Sequence, residues 1–189
     1  MRRLRLYFII SATFIISTTL AQESQRPAFL DKVFVGGGFG AGFGDYTFIN
    51  ISPIIGYRVT PKLSAGIRLT YQYTTFDYFD FQDQRTKKYQ GNDFGVGGFA
   101  RFVLFGPIYL QAEYEHLNYD GLDYNGVSSR SSFNSFMAGG GISQPVGGKA
   151  FLFFTAMYNF SYENFNTSNV YRSPYNSPWV IRIGITAGF

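Results

Sequence analysis

Apolar and polar residues alternate along most of this chain. From position 179 onward, Trp179, Ile181, Ile183, Ile185, Ala187 and Phe189 fall on one set of alternate positions. Val180, Arg182, Gly184, Thr186 and Gly188 fall on the other. Successive side chains of a strand point to opposite sides, so a two-residue period predicts a strand with one apolar face. The pattern recurs upstream. A first strand over 32–44 sets Val33, Val35, Phe39, Ala41 and Phe43 against glycines at 36, 38, 40, 42 and 44. Such a glycine row leaves room for large side chains arriving from across a narrow lumen. A second strand, near 46–59, sets Ile49, Ile51, Ile55 and Tyr57 against Asn50, Ser52, Gly56 and Arg58. Pro53 lies within it and cannot donate to a ladder, which predicts a local bulge. A third, near 63–75, sets Leu63, Ala65, Ile67, Leu69, Tyr71 and Tyr73 against Ser64, Gly66, Arg68, Thr70, Gln72 and Thr74.

Four more strands follow the same rule, near 93–104, 108–117, 132–143 and 150–162. With the last segment they make eight. Turn-forming residues separate them at Thr60-Pro61-Lys62, Phe105-Gly106-Pro107 and 144–149. Longer polar connections are predicted over 77–92, 119–131 and 163–177, and an unusually short one at Asp45. Phe76 to Phe81 can extend the third strand into the first of those connections. Short and long connections therefore alternate after the first.

The amino-terminal end does not share the pattern. Arg2, Arg3 and Arg5 precede an uncharged, largely apolar run from Tyr7 to Leu20, and small residues at Thr19 and Ala21 precede Gln22. This is the layout of a cleaved secretory signal peptide over 1–21, with 22–31 as a polar lead-in. Removing it changes the charge. The full chain carries +4, and residues 22–189 hold 13 basic against 12 acidic side chains, a net of +1. The basic balance belongs to the targeting segment and gives no reason to expect nucleic acid as a partner. The absence of cysteine excludes a disulfide scaffold and a lipid-anchored cysteine.

No stretch after residue 21 is apolar for 18 residues, so no spanning helix is available. An exported, aromatic-rich chain of alternating strands has two homes. One is a secreted barrel with its apolar face turned inward. The other is a membrane barrel with that face turned out to lipid. The charges choose between them. Arg58, Arg68, Arg101, Glu113, Glu115 and Arg182 all lie on the small-or-polar face and none on the apolar stripe. A lipid-facing arginine at the midplane costs about 2–4 kcal/mol, so the apolar stripe must face hydrocarbon and the charges the lumen. Tyr71, Tyr73, Tyr158, Tyr162 and Trp179 gather near one end of the stripes, Tyr57 and Phe102 near the other. Those positions suit an aromatic girdle at each interface.

The leader, the eight alternating segments and the ending Ile183-Gly184-Ile185-Thr186-Ala187-Gly188-Phe189 resemble the small OmpA/OmpX-like outer-membrane barrels of Gram-negative bacteria. The resemblance implies an all-β fold: an eight-stranded antiparallel transmembrane β-barrel in up-and-down order over 32–189, both termini periplasmic. It implies that Ile183, Gly184, Ile185, Ala187 and Phe189 form the signal read by the barrel-assembly machinery. It also implies an interior salt-bridge network, for which Glu113 and Glu115 would bridge the arginines, Arg101 being nearest through the hairpin. No peptidoglycan-binding domain is expected past Phe189.

The expected role is structural or interactive. The barrel would sit among outer-membrane lipid and lipopolysaccharide, display its long loops to an extracellular ligand, or dock on another outer-membrane protein. A narrow, weakly anion-preferring pore is the alternative, since the six interior charges sum to +2. Enzymatic activity is not expected. Glu115-His116-Leu117-Asn118 is faintly similar to lipid A deacylases, but Asn118 stands where their serine nucleophile would be. Asp77, Asp80, Asp83 and Asp93 match no calcium loop, and Arg85, Lys87 and Lys88 lie among them. No metal and no cofactor is therefore expected.

Overall fold

Eight strands form, and the last closes on the first. They are β1 (Val33–Gly42), β2 (Tyr46–Arg58), β3 (Leu63–Asp80), β4 (Arg85–Phe105), β5 (Ile108–Leu122), β6 (Ser128–Gly147), β7 (Ala150–Asn159) and β8 (Trp179–Ala187). The computed structural model describes residues 29–42, 46–80, 83–122, 128–162, 175 and 177–188. The leader, the Asp45 turn, Phe189 and nearly all of the 163–177 connection lie outside the described residues. Each strand pairs antiparallel with its neighbours in chain order, giving a closed up-and-down barrel.

The alternation sets the facing. Ile67, Leu69, Ile181 and Ile183 on the apolar stripe are exposed, while Arg68, Thr70, Val180 and Thr186 on the other set of alternate positions are buried. The molecule is thus inverted relative to a water-soluble barrel: its large aliphatic side chains lie outside and its ions inside.

One end carries tight turns. Gly106 and Gly148 adopt left-handed φ of +52° and +56°, which glycine reaches without a Cβ clash. At the turn into β3, the Thr60 hydroxyl accepts from the backbone N–H of Leu63 at 2.9 Å.

The other end departs from the sequence expectation. The polar stretch 77–92 is not an open loop. β3 and β4 stay paired out to Asp80 opposite Arg85. The stretch 119–131 is likewise mostly strand, with β5 and β6 paired out to Leu122 opposite Ser128. A strand whose two faces meet the same surroundings needs no apolar face, so the alternation fades while the pairing continues. Opposite charges help, as at Asp77 facing Lys88.

Pro53 is a second departure, because it makes no bulge. Pairing with β3 lapses at Ser52 and Pro53 and resumes in the same register at Ile54 opposite Arg68. Gly37 lies opposite Pro53 on β1, and a Cβ there would stand 3.2 Å from the proline Cα. Glycine at that place lets the flanking strand stay straight. The register shifts instead between Val103 and Phe105 and between Pro145 and Gly147, both beside tight turns.

The lumen near the tight turns is packed with rings. Phe34, Ile54, Phe99 and Phe153 form one buried cluster. Each ring has a glycine directly opposite on the neighbouring strand: Phe34 faces Gly56, Phe99 faces Gly66, Tyr109 faces Gly141 and Phe153 faces Gly184. A Cβ on any of those glycines would fall under 3.0 Å from the facing ring. The glycines that admit large side chains are therefore these cross-strand partners. In the β1 row, Gly36 and Gly38 instead approach the backbone of β8.

Candidate functional site

Above the aromatic layer the lumen becomes ionic. Arg68 on β3, Glu113 and Glu115 on β5 and Arg182 on β8 come together, although 69 residues separate Glu113 from Arg182. Alternation points each one inward, and barrel closure supplies the contact. Arg182 Nη2 donates to Glu113 Oε1 at 2.8 Å and lies 3.6 Å from Glu115 Oε1. Arg68 Nε lies 3.1 Å from the same Glu113 oxygen, near enough to pair as charges but out of line for a hydrogen bond. Glu113 is 0% exposed and Arg68 1%. Ions this deep persist only when paired, since each carries several kcal/mol of lost hydration.

Glu115 has two further donors. The Thr70 hydroxyl donates to its Oε1 at 2.7 Å, and the Tyr175 hydroxyl donates to its Oε2. Tyr175 belongs to the segment between β7 and β8, and it packs on the buried Met137, Met157 and Val180.

Arg101 corrects an expectation. It does not bridge to either glutamate. Its Nε and Nη2 both donate to Gln111 Oε1, at 3.0 and 2.9 Å, and Gln111 Nε2 donates on to Glu113 Oε2 at 3.1 Å. The β4–β5 register is the reason: Arg101 stands opposite Gln111, and Glu113 stands opposite Phe99. The guanidinium lies 4.3 Å from the Tyr109 ring centre and 5.2 Å from that of Phe153, where ring faces stabilise a cation. Arg58 points inward from the tight-turn end of β2 and is not part of the four-residue cluster.

A cavity of about 410 Å³ lies beside the cluster, toward the hairpin end. Polar residues ring its upper wall. Ser52 donates to Asn50 Oδ1 at 2.7 Å, and Gln72 Nε2 donates to Thr74 Oγ1 at 3.3 Å and to Asp93 Oδ2 at 3.5 Å. Higher up, Asp93 Oδ1 accepts from the Asp120 backbone at 3.2 Å, and Asp120 Oδ2 accepts from the Asn92 backbone at 3.1 Å. These bonds tie β4 to β5 where their ladder has stopped.

The outward residues form bands. Tyr158 meets Trp179 edge-on at 5.5 Å and Phe160 at 5.3 Å, and Phe160 lies 6.0 Å from Phe136. Tyr71 lies 5.2 Å from Phe94. Phe136 and Phe94 thus extend the aromatic group beyond the residues singled out by sequence. They occupy the same stripe ends, which was the signal available. Tyr73 and Tyr162 are half-buried, and Tyr57 and Phe102 are exposed near the tight turns. His116 shares the outward set, its Nδ1 2.7 Å from Asn134 Oδ1. Ile183, Gly184, Ile185 and Ala187 lie on β8. On the hairpin, Asp83 pairs with Arg85 at 3.3 Å and with Lys87. No cluster of three potential metal ligands occurs among the described residues.

No family model and no curated protein matches this chain. Two solved structures are similar. One is the N-terminal beta-barrel domain of Pseudomonas aeruginosa OprF, at 17% identity and a TM-score of 0.46, covering 84% of this chain and 98% of that one. The other is Neisserial surface protein A, at 16% identity and a TM-score of 0.41, covering 84% and 95%. The architecture rests on the strand pairing itself: the chain is a small, closed, eight-stranded antiparallel barrel of up-and-down order.

Proposed function

We propose that this protein is an integral outer-membrane barrel with a structural or interactive role. One observation carries the reading. Aliphatic side chains such as Ile67 and Ile181 are exposed to 53% and 62%, while Glu113 and Arg68 are exposed to 0% and 1%. Water would oppose that distribution, and hydrocarbon demands it. The stripe-end aromatics then lie at the two lipid headgroup levels, facing lipopolysaccharide on the outer side. The barrel-assembly machinery would read β8 during insertion.

The paired hairpins β3–β4 and β5–β6 would project outside the cell and form the recognition surface. Their strands of 18, 21, 15 and 20 residues exceed the ~9–11 that cross a bilayer. An extracellular ligand or a second outer-membrane protein would bind there. A through-pore is the weaker reading, because the Phe34, Ile54, Phe99 and Phe153 layer fills the lumen below the ionic cluster. The reading includes no catalytic step.

Thr86 is exposed at the hairpin end. A Thr86→Cys variant, in an otherwise cysteine-free chain, is expected to react with a membrane-impermeant maleimide on intact cells. Labelling only after lysis would overturn the topology, and release of the protein without detergent would overturn the membrane assignment.

A further inference from the structure

The buried charges and the barrel seam point to a ligand. Arg68 lines the cavity at 1% exposure, and none of its three guanidinium nitrogens has a hydrogen-bond acceptor. Arg182 lines the same cavity and leaves its Nε without one. A guanidinium offers five N–H donors in a planar fork that fits two oxygens of one anion. Formal charge is balanced, since Asp93 lines the same cavity and, with Glu113 and Glu115, offsets Arg68, Arg101 and Arg182. The place for an anion is set by unmet donors instead: Asp93 spends its oxygens on Gln72 and the Asp120 backbone, and Arg101 spends its donors on Gln111, which leaves the Arg68 fork unanswered.

The seam gives a way in. β1 and β8 pair over four residues only, Val35–Gly38 with Ala187–Gly184. β1 continues to Gly42 along β2, and β8 begins at Trp179 along β7, but among the described residues these two stretches do not pair with each other. The cavity is lined there by the outward residues Phe39, Ala41, Trp179, Ile181 and Ile183, so it reaches through the wall. The seam is apolar, and the chamber behind it presents the unmet donors of Arg68 and Arg182.

We propose that this chamber binds a compact oxyanion on Arg68, with Arg182 as the second cation and the β1–β8 seam as a lateral entrance. The oxyanion is a phosphate or carboxylate group, either free or carried as the headgroup of an amphiphile whose chain lies along the seam. This goes beyond the role assigned to the hairpins and does not depend on it.

The test is calorimetric titration of the folded protein in a non-ionic detergent, at constant ionic strength held with chloride. Inorganic phosphate is one titrant and dodecyl phosphate the other. Saturable binding of inorganic phosphate supports a free oxyanion. Saturable binding of dodecyl phosphate alone supports a headgroup admitted through the seam. In either case Arg68→Gln is expected to weaken binding about tenfold or more. Arg68→Gln also leaves Glu113 short of a cation and can unfold the barrel. Arg68→Lys keeps the charge, loses the fork, and is expected to weaken binding in the same direction. Exposed Lys88→Gln is expected to bind as the parent does. Absence of saturable binding by both titrants overturns the proposal. So does equal competition by chloride, or parental affinity in both Arg68 variants.

Discussion

Glu113 meets two guanidiniums in the lumen, Arg182 at 2.8 Å and Arg68 at 3.1 Å, and is wholly buried. Glu113→Gln keeps the shape and removes the charge, leaving two buried guanidiniums short of an anion. Breaking a buried pair in this way costs about 3–5 kcal/mol. Denaturant unfolding followed by the emission of Trp179, the single tryptophan, is expected to show a loss of that order. The ring-facing glycines give a second contrast. Gly56→Ala drives a Cβ into the Phe34 ring and is expected to cost about 1–3 kcal/mol. Gly98→Ala meets only the Gly66 carbonyl, at 3.9 Å, and is expected to be neutral or to stabilise by up to about 1 kcal/mol. Equal effects at the two glycines would show that the rings do not fix the lumen. At this scale the sequence told which way Arg68, Glu113 and Arg182 face. It did not tell who pairs with whom. Facing follows from one strand's period, whereas pairing follows from register. Register is why Arg101 meets Gln111 and not Glu113.

The strands split into a part that alternates and a part that does not. Within 63–74 the period of two is unbroken, and β3 was legible there residue by residue. Beyond Phe76 the residues read as polar connection, yet β3 pairs with β4 to Asp80. Periodicity reports a difference in solvent between two faces, so it falls silent where both faces meet water. The hairpin tip stands outside the barrel ring. Replacing residues 77–88 with a two-residue turn is therefore expected to leave the barrel folded, within about 1 kcal/mol of the parent. Heat-modifiable migration in detergent gels would check this, and loss of the folded band would show that the hairpin holds the barrel together. The tie of β4 to β5 through Asp93 and Asp120 lies below this cut and remains.

The whole molecule rests on one inversion of inside and outside. Strand number, order and facing were all legible in the sequence, because each depends on local alternation and on connection length. The division of the lumen into an aromatic layer and an ionic chamber was not. Phe34, Phe99 and Phe153 project from the same alternate positions as Arg68 and Glu113, and only the stagger of the strands sorts them by height. The partial β1–β8 seam was equally hidden, since β8 alternates along its full length whether or not its partner is paired. The chain has no cysteine, so single cysteines in β3 can carry a spin label without background. In lipid vesicles, labels at Ala65, Ile67 and Leu69 are expected to collide freely with oxygen and to be shielded from a water-soluble nickel chelate. Labels at Ser64 and Thr70 are expected to show low oxygen collision. The opposite phase, with the chelate reaching Ile67 and Leu69 more readily than oxygen does, would contradict the inversion and with it the membrane assignment.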